Sequence, residues 1–336
     1  MQNLSPAEAA ASLPDGATVV TAGFVGVGHA EAVTRAIEAR FLATGQPRDL
    51  TLVYAAGQGD RALRGVNHFG HTGLLKRVIG GHWISAPRLG ALVHQNAIEA
   101  WNLPQGVIAH LYRAIAGGKS GVVTRIGLHT FVDPRHDGGR LTPRTAQSAI
   151  GPRVQLVTLG GEEQLFYPAL PIDVALIRAT TADENGNLAC EHEPFHHDML
   201  AIAQAARNSG GRVIAQVKRI VPADTLAPNE VRVPGILVDA LVIADDLADH
   251  TMTFGSDFEA KYRSAPASRP PRGTAALAPL PLDVRKIVQR RALLELMKPD
   301  RPIVILGVGM PAGLGAVAHE EGVDAFTMTV VAGAVG

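Results

Sequence analysis

Apolar positions along this chain follow two rhythms, and their alternation sets the expected architecture. Short apolar or β-branched runs at residues 17–22, 50–54, 172–179, 212–217, 303–306 and 326–331, with a further run and its turn at 235–244, predict strands. Apolar spacing of three to four predicts helices at 6–12, from Glu31 towards Arg40, and at 89–101, 107–117, 199–208, 283–297 and 312–321. Ser5 ahead of Pro6 is expected to cap the first of these, and Pro104 with Gly106 to end the one at 89–101. A strand, a glycine turn, a helix and a second strand follow one another at both ends of the chain. That order predicts βαβ units and parallel pairing.

The two terminal units read alike. VVTAGFVGVGHAEAV and IVILGVGMPAGLGAV share a strand, a G-x-G and a small-residue helix in the same order. This fits a weak internal repeat of two related α/β domains, and equally the plain recurrence of βαβ units. The stretch 263–281, rich in Pro and Ala and poor in periodicity, is the expected linker between a first domain at 1–262 and the start of a second at 282–336. The expected fold class is therefore α/β, two related domains with parallel-rich sheets.

Composition narrows the class. Hydrophobic residues at 46% and charged residues at 18% suit a globular α/β enzyme, and a formal net charge of +0 gives no field to draw in nucleic acid or an anionic membrane. Cys190 is the single cysteine, which excludes an intrachain disulfide. The start of the chain shows no basic segment followed by an apolar core, and the most apolar long stretch, 302–318, is broken by Pro311 and glycines. A cytoplasmic protein with no membrane partner is the expectation.

Glycines carry the candidate chemistry. Gly307, Gly309 and Gly313 follow a strand and precede a helix, where backbone N–H groups can face an anion. Gly26 and Gly28 suggest a dinucleotide fingerprint, but Ala30 and Glu31 follow where the third glycine belongs, so no nicotinamide cofactor is expected. His192 and His196 have helical i, i+4 spacing with His197 and acidic neighbours, yet Pro194 interrupts them, and no metal is expected. Asp133, Arg135 and His136 read as a solvated loop.

More specific strings lie between these units. GGHW at Gly80, S-x-P-x-L-G from Ser85, N-x-x-E-A-W-N-L-P-Q-G from Asn96, GFVGVGHAE, TTADENGN and PLPLDVRKIVQRRALLEL together resemble the single-chain acetate/propionate enzymes of the family I coenzyme A transferases, across nearly the whole chain. The resemblance implies two open α/β domains with the active site between them, and a homo-oligomer (dimer or tetramer) when complete. It also implies a place in short-chain fatty acid or ketone body metabolism. Coenzyme A would pass from an acyl-CoA to a short carboxylate by a ping-pong route through a glutamyl-CoA thioester, with no permanent cofactor and no metal.

The same resemblance implies the site. Gly307, Gly309, Gly313 and Gly333 match the CoA and oxyanion glycines, and Gly26, Gly28, Asn96 and Gln105 match the acyl and carboxylate pocket. For Gln105 a buried polar role at a helix end is the alternative. The family's nucleophilic glutamate falls on Val331, within Thr327-Met328-Thr329-Val330-Val331-Ala332-Gly333. Glu184, in an E-N-G turn, is a second candidate nucleophile. Single-chain members continue past this point, so the chain is expected to be a truncated form and catalytically impaired. A non-catalytic acyl-CoA-binding or assembly partner, or an acyl-CoA hydrolase, is the alternative.

Overall fold

A computed structural model describes residues 1–148, 151, 153–262 and 279–330. The chain forms two compact units, Met1–Ser264 and Ala265–Gly336.

The first unit is built on eight parallel strands: β1 (Gln2–Leu4), β2 (Thr18–Thr21), β3 (Leu50–Tyr54), β4 (Leu75–Gly80), β5 (Glu99–Asn102), β9 (Val174–Arg178), β12 (Arg212–Val217) and β15 (Ala240–Ile243). Their spatial order is β1-β15-β12-β9-β2-β3-β4-β5. The central strands are apolar on both sides because helices cover both faces of the sheet. Alternate side chains sort into two cores. Val20, Val53, Ile79, Ala175, Ile177 and Ala215 join one with Leu111 of α4 (Gln105–Ala116) and Ile202 of α6 (Met199–Asn208). Val19, Leu52, Val78, Leu176, Ile214 and Ala240 join the other with residues of α1 (Pro6–Ala11), α2 (Glu31–Thr44) and α3 (Pro87–His94). Helix α1 opens on the expected cap, Ser5 Oγ accepting from Glu8 N while Glu8 reaches back to Ser5 N.

Two small sheets attach to this frame. β6 (Gly121–Thr124), β7 (Gln155–Leu159) and β8 (Glu162–Pro168) form an antiparallel set in the order β6-β8-β7, reached through the short α5 (Pro143–Gln147). β10 (Thr181–Asp183), β11 (Leu188–Ala189), β13 (Arg219–Val221) and β14 (Val231–Val233) form the other, ordered β13-β10-β11-β14.

The structure corrects one element outright. Residues 89–101 are not one helix: α3 ends at His94, Asn96 turns the chain with φ +54°, and Glu99–Asn102 is the edge strand β5. Over so short a run the helical and strand periods are hard to separate. The strand wins because Ala100 and Trp101 point into opposite cores, while Arg77 of β4 meets Glu99 across the ladder at 2.6 Å. The strands β4, β6, β7 and β8 had no counterpart in the pattern of the sequence.

The second unit is a small βαβ. Asp283 caps α7 (Val284–Leu296) by accepting from Lys286 N, and β16 (Ile303–Leu306) pairs in parallel with β17 (Thr327–Val330) around α8 (Leu314–Glu320). Leu293, Leu306, Leu314, Val317 and Ala318 form its core. The stretch 263–278, most of the expected linker, and Val331 with Gly333 lie outside the described residues.

The edge assignment has a measurable consequence. Arg77→Ala leaves Glu99 largely buried without its cation and is expected to cost about 3 kcal/mol in urea unfolding. Arg291→Ala, which removes an exposed helical pair with Glu295, is expected to leave the urea midpoint unchanged.

Candidate functional site

The strand order places the site. From β2 the chain runs outward through β3, β4 and β5; β9, β12 and β15 run the other way. The sheet therefore reverses its winding between β2 and β9, and in open parallel sheets ligands bind beyond the carboxyl ends of the strands at such a switch point. The segment leaving β2 holds Gly23, Gly26, Gly28 and His29, and β9 delivers Arg178 to the same edge.

The glycines here are required by close packing. A Cβ on Gly26 would lie 2.4 Å from the Phe254 ring, and one on Gly28, at φ +73°, would lie 2.4 Å from the His197 ring. Farther along the edge, the His82 ring closes on Gly57 and Gln105 on Gly81. The first N–H groups of α2 are also taken, since Gln216 Oε1 of β12 accepts from Ala32 N at 2.9 Å and from Val33 N at 3.4 Å. This glycine turn is thus filled by the protein's own side chains, unlike a phosphate cradle.

Within residues 21–34 every residue is buried except the half-buried Phe24 and the exposed Val25. Val25 stands at φ +52°. A left-handed backbone at a β-branched residue costs on the order of 1–3 kcal/mol, and the surroundings must hold it there. They do: Val25 N donates to Gly57 O at 2.7 Å, and Gly59 N donates to Val25 O at 2.8 Å.

Beneath the turn lies a buried polar network. Arg178 grips Glu193 in a bidentate pair, Nε to Oε1 at 3.0 Å and Nη2 to Oε2 at 2.6 Å, and its Nη1 donates to His29 O at 3.3 Å. Burial pushes the Glu193 carboxyl up, but the Arg178 charge and the hydrogen bonds from His250 and Arg178 outweigh it and hold the group down at about 2. Burial lowers His250 to about 4 and keeps it neutral near pH 7. Its Nε2–H then donates to Glu193 Oε1 at 3.2 Å, leaving Nδ1 to accept from Gln216 Nε2 at 3.3 Å. His29, lowered to about 4 by burial, donates from Nδ1 to Gln58 Oε1 at 2.7 Å, and Gln58 Nε2 donates to Thr21 O at 3.0 Å.

A second branch runs outward along α2. Glu31 accepts from Gly65 N at 2.9 Å and pairs with His68 Nε2 at 2.9 Å, while Glu38 takes the other ring nitrogen of His68 together with His71 and Arg88. Burial alone would lower His68, but the two carboxylates raise it, so it bridges them as a cation. Burial would raise Glu31; the hydrogen bond from His68 and nearby positive charge instead lower it to about 2.

The residues singled out from sequence do not all converge. Gly26 and Gly28 lie at the switch point, and Gln105 is exposed at the start of α4 on the same carboxyl edge, so the alternative of a buried Gln105 does not hold. Asn96 precedes β5 and so sits at the opposite edge, its Oδ1 accepting from Arg144 N at 2.9 Å. Glu184 belongs to the turn after β10, exposed, with Oε2 accepting from Ala223 N at 3.1 Å. In the second unit Gly307 and Gly309 follow β16 with open space beside them, Gly309 at φ +102°, whereas Gly313 is packed by the Gln289 amide, which donates to Met310 O at 2.7 Å. The acidic and histidine run at 191–198 is split apart: Glu193 serves Arg178, Glu191 serves Arg219, His192 packs on Phe258 and His197 on Gly28. Arg178, Gln216 and His250 went unread in the sequence, and Glu193 stood there only as an acidic neighbour of the histidines. Their one visible signal is a polar residue near the end of an apolar strand, as at Arg178 and Gln216.

An open parallel sheet with a buried ion-pair network at its switch point defines the first unit as a doubly wound α/β fold. Residues 3–244 match the family model for coenzyme A transferase. The chain belongs to the coenzyme A transferase family. It is 40% identical over 334 residues to the caffeate CoA-transferase of Acetobacterium woodii, covering 99% of this chain and 62% of that one. It is 40% identical over 341 residues to the acetate CoA-transferase YdiF of Escherichia coli K12, covering 99% and 61%. The crystal structure of the acyl-CoA transferase YdiF from E. coli O157:H7, a thioester complex with CoA, superposes with a TM-score of 0.87 at 37% identity, over 100% of this chain and 62% of that one. The chain thus spans about three-fifths of the length of these relatives. Among the described residues no helix is long and apolar enough to cross a membrane.

The buried histidines fix a pH response. His29, His197 and His250 have folded pKa values of about 4, below the ordinary 6.5, so between those values the unfolded chain binds protons the folded one refuses. His68, raised, works in the opposite sense: its contribution is full below 6.5 and fades as pH rises through its folded value. Below pH 6.5 His68 is protonated in both states and drops out, so the urea midpoint is expected to fall from pH 7 to pH 4.5, with a slope approaching three protons in the lower part of that range. Glu31 and Glu193, at about 2, keep their contribution until lower pH. A flat profile between pH 7 and 4.5 would contradict the neutral assignment.

Proposed function

We propose that this chain carries the acyl-CoA-handling part of an enzyme that moves coenzyme A between a short-chain acyl-CoA and a free carboxylate such as acetate or propionate. The observation that carries this reading is the 40% identity to acetate and caffeate CoA-transferases along 99% of the chain. The thioester complex with CoA of the structurally similar relative supports it.

The chemistry follows from what a carboxylate can do to a thioester. A glutamate carboxylate attacks the acyl carbonyl and expels the coenzyme A thiolate, leaving an acyl-glutamyl anhydride. The thiolate attacks the glutamyl carbonyl, releasing the first acid and forming a glutamyl-CoA thioester. A second carboxylate attacks that thioester, and the sequence runs in reverse. Backbone N–H donors, here from the turn holding Gly307, Gly309 and Gly313 and from Gly333, stabilise each tetrahedral oxyanion, an effect on the order of 10²–10³ in rate per donor. Gly26, Gly28 and Gln105 frame the acyl and carboxylate end in this scheme. Asn96 is left out of it by its place at the other sheet edge.

The nucleophile is where this chain departs. Val331 stands at the position the resemblance gives to glutamate, and valine can neither attack nor carry an acyl group. That substitution favours a second reading, an acyl-CoA-binding protein without turnover. Incubation with acetyl-CoA followed by intact-mass spectrometry separates the two. Val331→Glu is expected to gain the mass of a coenzyme A adduct that the parent chain lacks. An adduct on the parent chain would show that another nucleophile works, with the exposed Glu184 first to be replaced by Gln. Acyl-CoA binding by both proteins with no adduct on either would favour the binding protein.

A further inference from the structure

Val25 is a β-branched residue on a backbone that favours glycine. Its backbone lies in the left-handed region, where glycine is unstrained, Asn and Asp are tolerated, and a β-branched side chain is an outlier. Two main-chain hydrogen bonds to Gly57 and Gly59 lock that conformation. Neighbouring Gly26 and Gly28 show that the turn accepts glycine wherever packing demands it. The side chain belongs to none of the buried apolar clusters: Val25 is 40% exposed, the only exposed residue in 21–34. The rings of Phe254 and His197 cover the glycines one and three positions on, so Val25 is the exposed apolar group of a turn otherwise closed over. It also stands beyond the carboxyl end of β2, beside the switch point with β9. A strained, exposed apolar residue at the place where such sheets bind ligands has its explanation in the ligand.

We propose that Val25 is a specificity-determining residue whose side chain packs against the aliphatic part of a short acyl group. The inference rests on the acyl-CoA reading above and adds the residue that reads chain length. An isopropyl group offers only contact area, so each further methylene of the acyl chain gains affinity until the contact is full, by roughly tenfold or more per methylene in a closed pocket and by less at an open one.

The test is an affinity ladder. Free coenzyme A, acetyl-CoA, propionyl-CoA and butyryl-CoA are titrated calorimetrically into the parent chain, into Val25→Gly, and into Val25→Thr, which keeps the shape and replaces a methyl with a hydroxyl. The parent chain is expected to bind more tightly as the acyl chain lengthens. In Val25→Gly the ratio of butyryl-CoA to acetyl-CoA affinity is expected to fall by about tenfold while free coenzyme A binds unchanged, with Val25→Thr between the two. Val25→Gly is also expected to melt no lower than the parent, because the strain is relieved. An unchanged ladder in both variants overturns the role of Val25 and leaves the acyl-CoA reading intact. A lower melting temperature or a changed light-scattering mass in Val25→Gly overturns it too, assigning the side chain to packing or self-association. Silence of the parent chain towards all four ligands overturns the acyl-CoA reading, and the role of Val25 with it.

Discussion

The pair between Arg178 and Glu193 is the constraint on which the carboxyl edge of the first unit depends. Both side chains are almost wholly buried, so neither charge could persist alone; removing one partner of such a pair leaves an uncompensated charge worth about 3–5 kcal/mol of instability. The cost of burying them is offset by geometry. Arg178 uses its fork on Glu193 and its remaining amine on His29 O, and Glu193 spends its spare lone pair on His250. One strand end, the turn after β2 and the segment at 249–250 are thereby fixed by a single ion pair.

From that pair the restraint spreads through neutral groups. His250 leads to Gln216, whose amide oxygen caps the first turn of α2 and whose nitrogen holds Asp249 O at 2.9 Å. His29 leads to Gln58 and so to the loop after β3. Because His29 and His250 are uncharged, the links they make add no net field at the switch point, and Arg178 and Glu193 offset each other. What the network supplies is position, which a group-transfer site needs before any electrostatic aid can act.

Much of the frame was legible in the sequence, and the reason is physical. The strands at 50–54, 212–217 and 303–306 and the helix at 199–208 coincide with β3, β12, β16 and α6, because their apolar patterns are long or bounded by clear breakers. Residues 89–101 misled because Asn96 makes its turn without glycine or proline, and four strand residues fit a helical spacing as well as their own. The site was harder to read. Gly26 and Gly28 are visible as glycines, but that they receive Phe254 and His197 depends on contacts across more than 160 residues. Arg178 likewise reaches His29 across 149 residues. Val25, between Phe24 and Gly26, carries no mark in the sequence; its backbone angle and exposure are properties of the fold.

The near-complete burial of residues 21–34 has an evolutionary side. Substitution at almost any position in that stretch meets a core, a ring or the ion-pair network, and selection for folding removes it. At Val25 the fold asks only that the backbone tolerate its angle, a demand smaller residues meet more easily than valine does. Tolerance to substitution in this turn is thereby concentrated at one position, where a change of side chain leaves the buried contacts of its neighbours in place.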